Sequence, residues 1–208
     1  MVIKLRMVDV AEKAEFRDML STYLLDLKRF GAVDLSYPFF ETYWTDKSRW
    51  PYFIERDSEI AGFVLLNTWS PSGKGTDFAI AEFCVFPEYR KTGIGQAVFH
   101  RLLKSRPGIW EIGVMRRNQP ACAFWRISLA SVDISAVERI NAKDMRIYRH
   151  TVKRQVIVKT RRSGAQTLRQ QPVIPAQAGI FLCYGIAGIS VGTGLAPAEV
   201  SMACICPR

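Results

Sequence analysis

Residues 80–103 read IAEFCVFPEYRKTGIGQAVFHRLL and spell out a strand, a turn and a helix in succession. From 78 to 85 the chain is an almost unbroken apolar, β-prone run, the pattern of a strand buried on both faces. One carboxylate, Glu82, interrupts it. Pro87 ends the ladder by removing a backbone donor, and Arg90, Lys91, Thr92, Gly93, Ile94 and Gly95 form a basic, glycine-bearing turn. Ile94, Ala97, Val98, Leu102 and Leu103 share one helical face, so residues 93–96, ending at Gln96, lie at a helix N-terminus. There the first N–H groups lack intrahelical partners and the positive end of the helix dipole points outward. The spacing Arg-x-x-Gly-x-Gly lets backbone approach a diphosphate, because glycine carries no Cβ to hold it off. Taken alone, the same pattern also fits a tight strand-to-helix turn with solvated basic residues.

The flanking sequence supplies the rest of a sheet. Residues 2–7 form an opening strand, and Asp9 with Glu12 three residues on is a capping pattern. Phe16, Met19, Leu20, Tyr23, Leu24, Leu27 and Phe30 then recur at helical spacing and stop at Gly31. The aromatic residues 37–44 read either as a short second helix packed on the core or as a flexible lip over a pocket. Residues 52–56 and 60–67 form a hairpin turning at Asp57 and Ser58. Downstream, residues 108–114 predict a strand, 120–127 a short helix just past Asn118, and 134–140 and 145–158 two last strands.

Composition bounds the class. The chain has 208 residues with 49% hydrophobic and 23% charged, ordinary for one soluble domain with a sizeable core. Its formal charge of +10 suits a polyanionic ligand, either a nucleotide-bearing coenzyme or a nucleic acid. Basic residues are spread along the chain without a block of five, which argues against a dedicated nucleic-acid arm. Five cysteines without CxxC spacing, and only His100 and His150 beside them, predict no metal site and reduced thiols in a cytoplasm. Lys4 and Arg6 leave no apolar run for a signal peptide at the N-terminus.

The turn resembles the pyrophosphate loop of the GNAT superfamily, the acetyl-CoA-dependent N-acetyltransferases, whose pattern is (Arg or Gln)-x-x-Gly-x-(Gly or Ala). A second match lies in NQPACAFW, where Asn118, Ala121 and Trp125 stand at the positions of the family's Asn-x-x-Ala-x-x-x-Tyr. The resemblance spans about residues 2–158 and implies an α/β (α+β) fold. Its central mixed, mostly antiparallel sheet would be splayed at the cofactor cleft and flanked by helices. It also implies that acetyl-CoA enters the gap between strands 78–85 and 108–114. Backbone groups of Phe83, Cys84 and Val85 would bond the pantetheine amides as an added strand, and residues 90–96 with Asn118 and Trp125 would complete the cofactor site. The partners implied are acetyl-CoA and an amine-bearing acceptor, with no membrane; association into a homodimer stays open.

Amine acetylation needs a bound thioester, a donor to its developing oxyanion and a proton acceptor. A strand N–H near Val85 would be the donor. Glu82 is the first candidate for the base, since a lone carboxylate in an apolar strand has a raised pKa; Glu111 on the neighbouring strand is the reserve. The competing reading of Glu82 is a buried carboxylate paired with an arginine. Trp125 departs from the family tyrosine, and an indole N–H cannot return a proton to a leaving thiolate. Two other readings are kept beside the enzyme: an acyl-CoA-binding protein without turnover and a basic nucleic-acid-binding domain.

Composition changes near residue 161 to Gly, Ala, Ser and Pro. Residues 172–180, PVIPAQAGI, look like a translated inverted-repeat element of the kind found between bacterial genes. The expected division is a domain over 1–160 and an irregular, non-domain tail over 161–208, preferred to a membrane span over 176–196 that its glycines and polar residues would make a poor one.

Overall fold

The computed structural model describes residues 2–154, so the expectations for the tail, its three cysteines and the end of the last strand lie outside the described residues. Near the N-terminus the capping pattern forms as read: Ala11 N–H donates to the Asp9 side chain at 2.9 Å, and Asp9 N–H donates to Glu12 Oε2 at 3.0 Å. Helix α1 follows over Lys13–Leu27, runs on as a 3-10 turn over Lys28–Phe30 and stops at Gly31.

Seven strands make one sheet in the order β1 (Ile3–Met7), β2 (Trp50–Arg56), β3 (Glu59–Asn67), β4 (Phe78–Val85), β5 (Gly108–Met115), β7 (Met145–Val152), β6 (Glu138–Ala142). Every neighbouring pair is antiparallel except β4 and β5, which are parallel because helix α2 (Ile94–Ser105) carries the chain back between them. Helix α3 spans Gln119–Ala130. The β2–β3 hairpin turns at Asp57 and Ser58, both with positive φ (50° and 77°), the conformation that matches strand twist in a two-residue turn.

Register decides which residues face which layer. Between Leu66↔Ile80 and Leu65↔Glu82 the β3–β4 ladder skips one residue, Ala81, so β4 carries a bulge there. Side chains on either side of a bulge change face. Ile80 therefore lies with Phe83 on one face, and Glu82 lies on the other with Phe63 and Leu65, its β3 neighbours. The Glu82 face is covered by α1, where Phe16 packs on Phe53 and Phe63 at 5.4 and 5.1 Å between ring centroids. The opposite face is covered by α2 and α3, where Phe83 meets Phe124 and Trp125. Phe16 is fully buried, and burial of such a ring stabilises by about 1.5–3 kcal/mol.

Two expected elements change. Residues 37–44 hold a single 3-10 turn, Glu41–Trp44, with Phe40 and Tyr43 buried, so the stretch packs on the core without forming a second α-helix. Strand β6 starts at Glu138 instead of 134, because the Ser135 hydroxyl, at 2.7 Å, takes the Thr151 N–H that a ladder carbonyl would otherwise receive.

Candidate active site at the split of the sheet

Strands β4 and β5 are paired only at Phe78↔Trp110, Ala79↔Glu111 and Ile80↔Ile112. Past the bulge they part: β4 continues against β3 to Val85 and β5 continues against β7 to Met115. Phe86 N–H donates to Ala61 O on the β3 side at 2.9 Å. Alternation along the strand then turns the backbone of Cys84 toward β3 and the backbones of Phe83 and Val85 toward the split. Of the three residues expected to bond a ligand's amides through backbone, two face the gap. The Val85 carbonyl already accepts from Arg90 Nε at 2.8 Å, which ties the following loop to the strand end. A ligand with spaced amides can add to such an edge as a further strand.

The loop between β4 and α2 leaves backbone donors free at the start of a helix. Lys91 (φ 60°) and Gly93 (φ 84°) are both left-handed, and Thr92 between them donates to Tyr89 O at 2.7 Å. Gly93 is the N-cap of α2, with no side-chain cap, and its carbonyl receives Ala97 N–H at 3.0 Å. The N–H groups of residues 93–96 therefore have no intrahelical acceptor. Lys91, Thr92 and Gly93 are exposed, Gly95 and Gln96 half-buried, and a Cβ on Gly93 would meet nothing within 4 Å. These features fit a diphosphate. Gly95 has a different reason for being glycine: a Cβ there would stand 3.0 Å from Phe124, so its smallness serves the approach of α3 to α2.

Glu82 is 1% exposed, directly after the bulge and on the α1 face. Burial raises its pKa well above the carboxylate range, and hydrogen bonds from the Tyr23 and Tyr37 hydroxyls act against that rise. Its Oε2 is buried without a hydrogen-bond partner. The groups acting on this carboxyl are two phenols, not the arginine of the competing reading. Tyr43, raised chiefly by burial, hydrogen-bonds to Tyr37, and Asn67 Nδ2 stands 3.5 Å from its hydroxyl. This tyrosine cluster was not legible in the sequence, where Tyr23 fits the apolar stripe of α1 and Tyr37 belongs to an ambiguous loop.

Glu111 lies on the same face but at the closed end of the split, opposite Ala79. Its carboxylate accepts from Ser70 Oγ (3.0 Å), Ser72 N (3.1 Å) and Ser72 Oγ (2.6 Å) and pairs with Arg149. Those bonds fasten the β3–β4 connection to β5 and β7 and leave the group occupied in holding the sheet, which speaks against the reserve role in proton transfer. Asn118 caps α3, accepting from Ala121 N at 3.1 Å, while its buried Nδ2 has no partner. Trp125 is fully buried, edge-on to Phe83, Phe99 and Phe124, so it fills the layer between α2, α3 and the sheet. Among the described residues no cluster of three or more His, Cys, Asp or Glu could hold a metal, and no helix is long and apolar enough to cross a membrane.

The mixed sheet is thus split between two parallel strands, and the uncapped N-terminus of α2 follows the loop that leaves the split strand β4. The sequence pattern of the acetyltransferase (GNAT) family matches residues 16–128, and the chain belongs to that family. The fold is similar to that of a GNAT-family acetyltransferase from Staphylococcus aureus Mu50 (14% identity, 73% of this chain and 100% of that one, TM-score 0.53). It is also similar to that of an acetyltransferase from Thermus thermophilus (12% identity, 73% and 97%, TM-score 0.54). No curated protein matches the sequence.

Proposed function

We propose that this acyltransferase moves an acetyl group from acetyl-CoA to a primary amine by direct attack in a ternary complex, in the cytoplasm. The observation that carries the reading is Glu82 Oε2: a buried carboxylate oxygen without a partner, at the residue where β4 leaves β5. Acetyl-CoA supplies a thioester whose carbonyl carbon accepts the amine and whose thiolate leaves. Glu82, its pKa raised by burial, takes a proton from the acceptor's ammonium group and so frees the lone pair for attack. The N–H of Val85 or Phe83, directed into the split, donates to the oxyanion that develops on the acetyl carbonyl. As the C–N bond forms and the C–S bond breaks, one of the two protons left on the attacking nitrogen passes to water and the other stays on the amide product. Lys91, Arg90 and the first turn of α2 hold the diphosphate.

One observation favours binding without turnover: Trp125 presents no hydroxyl to a departing thiolate and is enclosed by rings. Thiol release separates the two readings. The full chain is incubated with acetyl-CoA and, in turn, free amino acids, polyamines, aminoglycosides and peptide N-termini, and free thiol and acetylated amine are both measured. Release with at least one amine class supports the enzyme. Stabilisation by acetyl-CoA, about 2.7 kcal/mol at a hundredfold excess over Kd, with no release from any class would leave only the binding reading.

A further inference from the structure

Tyr37 is the odd member of the group around Glu82. Tyr23 comes from the rigid α1 and is buried; Tyr37 is half-buried and sits on a loop, with a left-handed backbone (φ 45°) that is a conformational outlier for a bulky residue. Such strain persists only where the surroundings impose it. Here they do. Asp34 accepts from Ser36 N (2.9 Å) and Ser36 Oγ (2.7 Å), closing a turn just before Tyr37. Arg17 of α1 donates to the Ser36 carbonyl at 2.6 Å and lies over the Phe40 ring at 4.8 Å, and Phe40 N–H closes onto Tyr37 O at 2.9 Å. The loop is thus fixed to α1 on both sides of Tyr37, and the hydroxyl reaches Glu82 and Tyr43 together.

We propose that Tyr37 is a positioning residue: the loop pinned by Arg17 presses its hydroxyl against the Glu82 carboxyl, so that one oxygen is engaged and Oε2 is kept for the acceptor amine. The inference rests on the reading of Glu82 as the proton acceptor. It explains why a strained residue stands beside the buried carboxylate that follows the bulge, and why Glu82 ionises more readily than burial alone would allow. Charged and titratable neighbours on each packed element are few. Tyr23 comes from α1, Tyr43 from the 3-10 turn, Arg49 lies over the Tyr43 ring at 5.4 Å, and Glu111 of β5 is held by Ser70, Ser72 and Arg149.

The test needs no acceptor. Glutamate labelled with 13C at the carboxyl is incorporated, the Glu82 resonance is assigned by its loss in Glu82→Gln, and its titration is followed in the wild type and in Tyr37→Phe. Removing a donor that favours the ionised form is expected to raise the Glu82 midpoint by about one pH unit or more, a tenfold change in proton affinity. A midpoint within about 0.3 unit of the wild type in folded Tyr37→Phe would overturn the proposal. Should that variant fail to fold, Arg17→Ala leaves the hydroxyl and frees the loop; an upward shift supports the proposal and an unchanged midpoint overturns it. Thiol release by Glu82→Gln is measured alongside: full turnover there removes Glu82 as the base, whereas lost turnover with an unmoved Tyr37→Phe midpoint removes only the role of Tyr37.

Discussion

Each face of the sheet buries an ionisable side chain, and the two faces treat it in opposite ways. On the α1 face Glu82 has hydroxyl partners, a spare oxygen and a place beside the split. On the α2–α3 face His150 is 2% exposed, set edge-on to Phe99, and neither ring nitrogen has a partner. Burial alone pushes its pKa down to about 4. Trp125 Nε1 and Ser128 Oγ on the same face are likewise buried without partners. A carboxyl given donors can change its charge during a reaction; an imidazole given none is held neutral and acts as a ring. The proposed chemistry on one face and packing on the other rest on this contrast.

The largest effect should come from the loop between β4 and α2. Gly93→Val places a β-branched side chain at φ 84°, where the backbone is strained for any residue with a Cβ, and disturbs the N–H groups of the first turn of α2. Acetyl-CoA affinity measured by calorimetry is expected to fall by about a hundredfold or more with the fold intact. Arg90→Ala should cost less, since the backbone donors remain.

Next in size is a pair of opposed pH dependences. His150 has a folded pKa near 4, below its ordinary 6.5, so its contribution is fully present above pH 6.5 and is lost as pH falls from 6.5 to 4, reaching about 3 kcal/mol. Glu82 has the reverse sign: its folded pKa lies above 4.5, so stability is fullest below 4.5 and declines as pH rises through the interval up to the folded value. Chemical denaturation of Glu82→Gln should therefore show stability falling toward acid more steeply than in the wild type. His150→Phe should show it falling toward neutral pH. Parallel curves for the three proteins would erase the distinction between the faces.

Much of this layout was legible because the signals were local. A lone carboxylate in an apolar strand, a proline and a glycine turn, and an apolar stripe from Ile94 to Leu103 need only neighbours in sequence to be read. The bulge at Ala81 has no such sign, since no glycine or proline marks it, yet it turns Glu82 toward α1. Tyr23 and Tyr37 converge on Glu82 only after the α1 layer closes over the sheet. Glu111 resembles a second candidate in sequence because its partners, Ser70, Ser72 and Arg149, are about 40 residues away on either side. Gly95 reads as part of the diphosphate turn and proves to face Phe124, a contact made by a helix that follows later in the chain.

A smaller effect tests the packing face directly. Trp125→Tyr restores the family's residue in a site closed by Phe83, Phe99 and Phe124. It is expected to lose about 1–2 kcal/mol in thermal denaturation and to change turnover by less than about threefold. A large gain in turnover would bring that face into the chemistry. The smallest effect is expected from truncation after Lys159. That chain should show the acetyl-CoA-induced thermal shift of the full one, and loss of folding would move the domain boundary.

Turnover of Glu82→Gln, at saturating acetyl-CoA and with an amine found by thiol release, bears most directly on the chemistry assigned to the α1 face. The amide keeps the shape of the side chain and cannot take a proton, so kcat near neutral pH is expected to fall by about a hundredfold or more, with KM and acetyl-CoA affinity close to wild type. A kcat within about threefold of the wild type would contradict it.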